Sequence, residues 1–158
     1  VGYYTLLFSK FGKRVYSFEP EKTNFKFLIE HIKLNNLKNV SIFNFAIYSE
    51  NKTLSFQVND DRTEGRISKN GKLKIKTYSL DYLCFEKNFE LPDFIKIDVE
   101  GAEFEVLKGA REVIETKKPK IFLATHGEHI KNMCIEFLKN LRYEIIPLTG
   151  AEFLFNPS

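Results

Sequence analysis

The sequence has no tryptophan, one methionine and two cysteines in 158 residues. Two cysteines are too few for a disulfide framework, and neither lies at a Cys-His spacing that holds zinc. Cys84 and Cys134 sit far apart among apolar neighbours, the setting of small buried hydrophobes in a reducing compartment. Five prolines and eight glycines exclude collagen-like and low-complexity chains. No apolar run approaches the ~18 residues of a membrane span. Charge is balanced as well: 24 basic and 21 acidic residues leave a net +3. They are spread evenly, without the basic stripe that tracks a phosphate backbone, so a nucleic-acid partner is unsupported. The first residues lack the ordered basic start, apolar stretch and small-residue cleavage site of a secretory leader, and a cytoplasmic setting is expected.

What is present reads as globular. Hydrophobic residues at 43% and charged residues at 28% argue against disorder and coiled coil, and the length suits one domain over residues 1–158. Along the chain, helical and strand patterns take turns. Residues 2–11 place Tyr3, Leu6, Leu7 and Phe11 on one helical face, with Gly12 as a left-handed stop. Residues 14–18 read as a short strand ending at Glu19-Pro20, and residues 21–35 as a helix carrying Phe25, Leu28, Ile29 and Ile32. Residues 40–48 read as one strand. Residues 53–58 and 72–78 alternate polar and apolar, which predicts an antiparallel hairpin with one wet face. Ser79 is placed to cap a short helix through Phe85. A strand over 93–99, a helix over 103–115, a strand over 120–125 and a helix over 128–141 follow. Residues 143–148 and 152–156 then form a hairpin turning at Thr149-Gly150. This order predicts an α/β fold, a mostly parallel sheet covered on both faces with an antiparallel carboxyl-terminal edge and an inserted hairpin.

In an open α/β sheet, ligands bind outside the carboxyl ends of the strands. The residues there are Glu19, Asn44 with Ala46, Asp98 with Glu100, and Thr125 with His126. A carboxylate at the end of an early strand suits the two hydroxyls of a ribose, although such a group also serves as a helix cap or a solvated charge. In residues 96–110, KIDVEGAEFEVLKGA, alternation puts Lys96 and Asp98 on one side of a buried strand. Pairing of the Lys96 ammonium with a nearby carboxylate is the expected outcome, whereas Asp98 would face the cleft. Gly101 permits a close approach of backbone or ligand. Glu103, in the first helical turn, reads as a dipole and capping partner, and His129 as a surface residue.

The stretches VYSFEP, the helix ending LN, KIDVEGAEFEVLKGA and PKIFLATHGEH together resemble the FkbM family of S-adenosylmethionine-dependent methyltransferases, over essentially the whole chain and in matching order. The resemblance implies a Rossmann-like, three-layer methyltransferase that moves a methyl group from sulfonium to an oxygen, typically a hydroxyl on a sugar, glycan or natural-product acceptor. Gly2, followed by Tyr3, would end the family's glycine-rich loop. Glu19, with Pro20 behind it, would hold the ribose, Asn44 and Ala46 would flank the adenine, and Asp98 would line the methyl-transfer cleft. Asp98, Glu100 and His126 are the candidates for proton removal, with capping or pocket lining as the plain alternative for His126. These three groups are chemically able to hold a divalent metal, but such sets are common without one and none is assigned. The strand and the start of the loop that should precede Gly2 are absent, so a fragment that binds cofactor weakly is expected. Two other readings stand beside this one: another Rossmann-type nucleotide-binding enzyme, and a non-catalytic methyltransferase-like interaction domain. Arg62 and Arg66, in the loop between residues 58 and 72, are candidates for an anionic or hydroxyl-rich acceptor, with a solvated loop as the commoner outcome.

Overall fold

The computed structural model describes residues 1–59, 65–148 and 152–157. Helix α1 (Tyr3–Ser9) starts from Gly2 at φ 83°. A Cβ on Gly2 would come within 2.8 Å of Leu28 Cδ1, so both backbone and space demand glycine there. The inward face of α1 differs from the expected one. Tyr3 is 70% and Phe11 82% exposed, because Tyr3 lies at the first turn and the helix ends two residues before Phe11. Its inward residues reach two sheets. Thr5 Oγ1 lies 2.9 Å from Ser17 Oγ, while the Tyr4 and Phe8 rings meet Phe122 and Phe94 edge-on at 5.9 and 5.3 Å.

Strand β1 (Val15–Phe18), helix α2 (Lys22–Leu34) and strand β2 (Val40–Phe43) form a parallel β-α-β unit. Glu21 caps α2 by accepting the Asn24 N–H at 2.8 Å. Residues 40–48 are not the single strand expected. The chain leaves β2 at Asn44, whose Nδ2 donates to the carbonyls of Glu19 (2.9 Å) and Pro20 (3.1 Å). Phe45 then packs against Phe18, Phe43 and Tyr78, and β3 (Ala46–Ile47) joins a different sheet.

That second sheet runs β3-β6-β4-β5, with β4 at Lys52–Val58, β5 at Gly65–Ile67 and β6 at Leu73–Tyr78. The expected β4/β6 hairpin is antiparallel, with Phe56, Ile75 and Thr77 buried and Lys74 and Lys76 exposed. Strand β5 is an addition that alternation did not announce. The Ser79 hydroxyl accepts the Tyr82 N–H at 3.1 Å, the cap expected, and leads into a π-helical turn over Tyr82–Glu86.

The third sheet runs β7 (Phe94–Ile97), β8 (Lys120–Ala124), β10 (Glu152–Pro157), β9 (Tyr143–Pro147). Strands β7 and β8 are parallel, and β10 is antiparallel to both its neighbours. The carboxyl-terminal hairpin is therefore as expected; its turn at Thr149-Gly150 lies outside the described residues. The helix expected over residues 103–115 is two, α3 (Glu103–Lys108) and α4 (Arg111–Lys117). The break is imposed by residues distant in sequence. A Cβ on Gly109 would lie 2.0 Å from the Tyr48 carbonyl oxygen, and the Gly109 carbonyl accepts the Asp81 N–H. The Asp81 carboxylate then caps α4 by accepting the N–H groups of Glu112 (3.1 Å) and Val113 (2.9 Å). Helix α5 (Glu128–Asn140) completes the core with Cys134 and Leu138. Leu107, Val113, Ile114, Ile121, Leu123, Leu138 and Phe155 are fully buried there, each side chain contributing roughly 1.5–3 kcal/mol by burial.

The fold is thus mixed α/β, but the single, mostly parallel sheet expected is divided into three. Among the described residues no strand pairs with the outer edge of β1 or of β7. The parallel ladder stops at both, and α1 spans the two sheets.

Candidate active site

Strands β7 and β8 run side by side in the same direction, with Ile97 opposite Leu123. Their carboxyl ends therefore release two chain segments at one rim. After β7, Glu100 (φ 44°) and Gly101 (φ 95°) both take left-handed backbone, turning the chain sharply into α3. After β8, Thr125 and His126 precede Gly127, which enters α5 at φ 105°.

Three predicted residues meet here. His126 Nε2 stands 3.4 Å from Glu100 Oε1 and 3.8 Å from Asp98 Oδ1. On the other side of the ring, His126 Nδ1 lies 2.7 Å from Glu103 Oε1. Burial works to lower the imidazole pKa, but the Glu103 hydrogen bond and the charges of Glu100, Glu103 and Asp98 outweigh it and hold His126 above its usual range. Asp98, Glu100 and His126 each offer one ligand atom, all within 4.8 Å of one another. That spacing admits a small cation; exposed acidic groups also gather without one, and no ligand role is assigned to them.

Lys96 is paired as expected. Its side chain is 8% exposed and its Nζ lies 3.4 Å from Asp98 Oδ2. The ammonium is also over the rings of Tyr4 (4.7 Å) and Phe122 (4.2 Å), which hold a cation against the apolar interior. Tyr4 in turn is raised above its ordinary pKa by burial and by the charges of Glu152 and Asp98.

Of the residues expected to hold a nucleoside, Glu19, Pro20 and Asn44 meet at the carboxyl ends of β1 and β2. Glu19 Oε1 accepts the Glu21 N–H at 2.9 Å, and Asn44 ties the Glu19 and Pro20 carbonyls together. Burial raises the Glu19 carboxyl above its usual range, partly opposed by the Glu21 N–H. Ala46 stands apart, pairing with Thr77 in the second sheet. Gly2 opens α1, and Tyr3 points its ring at Tyr4 from an exposed position. His129 is exposed, as expected, and so is Arg66, on β5 opposite Gln57; Arg62 lies outside the described residues. Burial pushes the thiols of Cys84 and Cys134 up to about 11 and about 12, so both are inert hydrophobes.

One neighbour of His126 was not marked by the sequence. Glu103 does not cap α3 as expected: it accepts the Gly101 N–H at 3.0 Å, in the turn ahead of the N-cap Ala102, and no side chain caps the helix. Its complete burial and its grip on His126 were not foreseen, since nothing in the pattern of α3 marks position 103 as interior.

With this geometry in hand, comparison with known proteins decides the family. The methyltransferase FkbM domain matches residues 1–145. The chain belongs to the FkbM methyltransferase family. The hexuronic acid methyltransferase AglP of Haloferax volcanii is 31% identical to this FkbM-family chain over 104 residues, which is 65% of the chain and 43% of AglP. The crystal structure of methyltransferase FkbM from Methylobacillus flagellatus KT matches with a TM-score of 0.66 at 21% identity, covering 91% of this chain and 36% of that one. The latter is a likeness of fold. This FkbM-family chain spans less than half the length of either relative.

Proposed function

We propose that the protein methylates a hydroxyl oxygen of a sugar or glycan, with S-adenosylmethionine as the methyl donor. One observation carries this reading: in a chain of a methyltransferase family, the rim of two parallel strands gathers Asp98, Glu100 and His126 around one point. A carboxylate acceptor arrives already ionised and needs no base. A hydroxyl keeps its proton, and a rim carrying three carboxylates against the one lysine that pairs with it suits a neutral acceptor better than an anionic one. The hexuronic acid named for AglP supports a sugar as the acceptor class.

The residues of the other rim suit the cofactor. Glu19 Oε1 is held by the Glu21 N–H, which fixes at the strand end a carboxylate suited to accept from a ribose diol. Pro20 and Asn44 fix the turn behind it, and Gly2 provides the left-handed start of α1. When bound, S-adenosylmethionine supplies a methyl group activated on sulfonium. Protein groups then have two tasks, to align the acceptor oxygen and to receive its proton.

The full-length protein incubated with labelled S-adenosylmethionine and a panel of neutral and acidic glycans tests the reading. A base-stable methyl ether on a sugar is the expected product, and Asp98→Asn and Glu100→Gln should lower turnover while thermal unfolding stays in place. Wild-type rates in both variants would remove these residues from the cleft. Calorimetry without detectable binding of S-adenosylmethionine or S-adenosylhomocysteine would favour the interaction-domain reading instead.

A further inference from the structure

Receiving a proton at one nitrogen of His126 requires the ring to be held in one tautomer, and the group that holds it lies outside the cleft. Glu103, the first residue of α3, is fully buried. Its Oε1 already accepts the Gly101 N–H at 3.0 Å and meets His126 Nδ1 at 2.7 Å. An oxygen engaged as an acceptor receives a second donor, so the proton between the two residues sits on Nδ1. In the neutral ring the opposite nitrogen, Nε2, then carries the lone pair and faces the cleft beside Glu100 and Asp98.

The other oxygen, Oε2, is buried with no hydrogen-bond partner among the described residues. A buried carboxylate with one bare oxygen is a poor structural device, since burying the charge costs several kcal/mol unless a cation offsets it. An imidazolium formed during turnover is such a cation. The groups facing the ring from the packed elements are Asp98 and Glu100 after β7, with Lys96 behind Asp98, and Glu103 on α3. Cys134 on α5 is a buried, neutral thiol near Glu103. None of them competes with Glu103 for Nδ1.

We propose that Glu103 is a positioning residue that fixes His126 in the Nδ1–H tautomer and thereby makes Nε2 the proton acceptor for the substrate hydroxyl. This rests on the methyl-transfer reading above. The hydroxyl proton passes to Nε2, the oxygen's electron pair forms the bond to the methyl carbon, and the carbon–sulfur electron pair leaves with sulfur. The imidazolium so formed stands between Glu103 and Glu100, and its proton is returned to solvent.

Glu103→Gln tests the assignment, because the Gly101 N–H keeps the amide oxygen in the Oε1 position, preserving the hydrogen bond and removing the charge. His126 nitrogen shifts in the full-length wild type should show the Nδ1–H tautomer. In Glu103→Gln the His126 titration and the acid limb of the kcat/KM profile should move together to lower pH, with kcat down on the order of 10-fold to 10²-fold and S-adenosylmethionine affinity unchanged. An Nε2–H tautomer in the wild type overturns the inference even if the variant fails to fold, and so does a titration that does not move in a folded variant. Absence of methyl transfer by the wild type would instead count against the functional reading, while the nitrogen shifts still decide the tautomer.

Discussion

The two polar rims are built differently. At the β7/β8 rim, side chains hold side chains: Lys96 to Asp98 along one segment and, between segments, Glu103 to His126 and His126 toward Glu100. At the β1/β2 rim, side chains hold backbone: Glu19 takes the Glu21 N–H, and Asn44 ties the Glu19 and Pro20 carbonyls. The first arrangement changes with protonation and substitution, as the proposed proton transfer requires. The second fixes the shape of a turn. On the proposed reading, proton transfer belongs to the first rim and cofactor binding to the second, and substitutions at one rim should leave the other readable.

The largest expected break in that comparison is His126→Ala. It should lower kcat by about 10² to 10⁴, the range of a lost general base, with calorimetric affinity for S-adenosylmethionine intact. Equal losses in both quantities would mean that the rims are not independent. Glu19→Gln should do the reverse, weakening cofactor affinity roughly 10-fold to 100-fold through the loss of charged hydrogen bonds of about 1.5–3 kcal/mol while leaving the acid limb of the rate profile where it was. Asn44→Ala removes two hydrogen bonds to backbone carbonyls. We expect a loss of about 1 kcal/mol and a fall in Tm of roughly 2–4 °C, read by thermal unfolding.

The smallest effect sharpens the contrast through pH. His126 has a raised pKa in the folded protein, so its ion pairs stabilise the fold fully below the unfolded value of about 6.5 and lose that contribution as pH rises through the folded value. The stability difference between wild type and His126→Ala, measured by denaturant titration, should therefore shrink with rising pH. For wild type against Asn44→Ala it should stay flat.

Much of this arrangement was legible in the sequence, and its gaps have physical causes. Strands such as residues 94–97 and 120–124 are short apolar runs between clear helices, and periodicity finds them. The rim residues follow from strand ends alone, so Asp98, Glu100 and His126 could be grouped before any contact was known. What periodicity does not carry is interruption from a distance. Helices α3 and α4 are separate because Tyr48 presses on Gly109 and Asp81 supplies a new cap, two contacts across at least 30 residues of chain. Residues 40–48 split where the Asn44 side chain is tied to the Glu19 and Pro20 carbonyls and Phe45 packs against Phe18, Phe43 and Tyr78. The division into three sheets was hidden for the same reason, since pairing between strands distant in sequence leaves no local pattern. Glu103 reads as an ordinary first-turn acid; only packing against His126 distinguishes it from Glu105, which is partly exposed and pairs with Lys108.

The measurement that bears most directly on the central claim is the position of the transferred label. Full-length protein, labelled S-adenosylmethionine and a glycan carrying both free hydroxyls and a uronic acid carboxylate should yield a base-stable ether on a hydroxyl, formed by the wild type and lost in His126→Ala. A base-labile ester on the carboxylate, made equally well by both proteins, would contradict the account of the β7/β8 rim as a proton-accepting site.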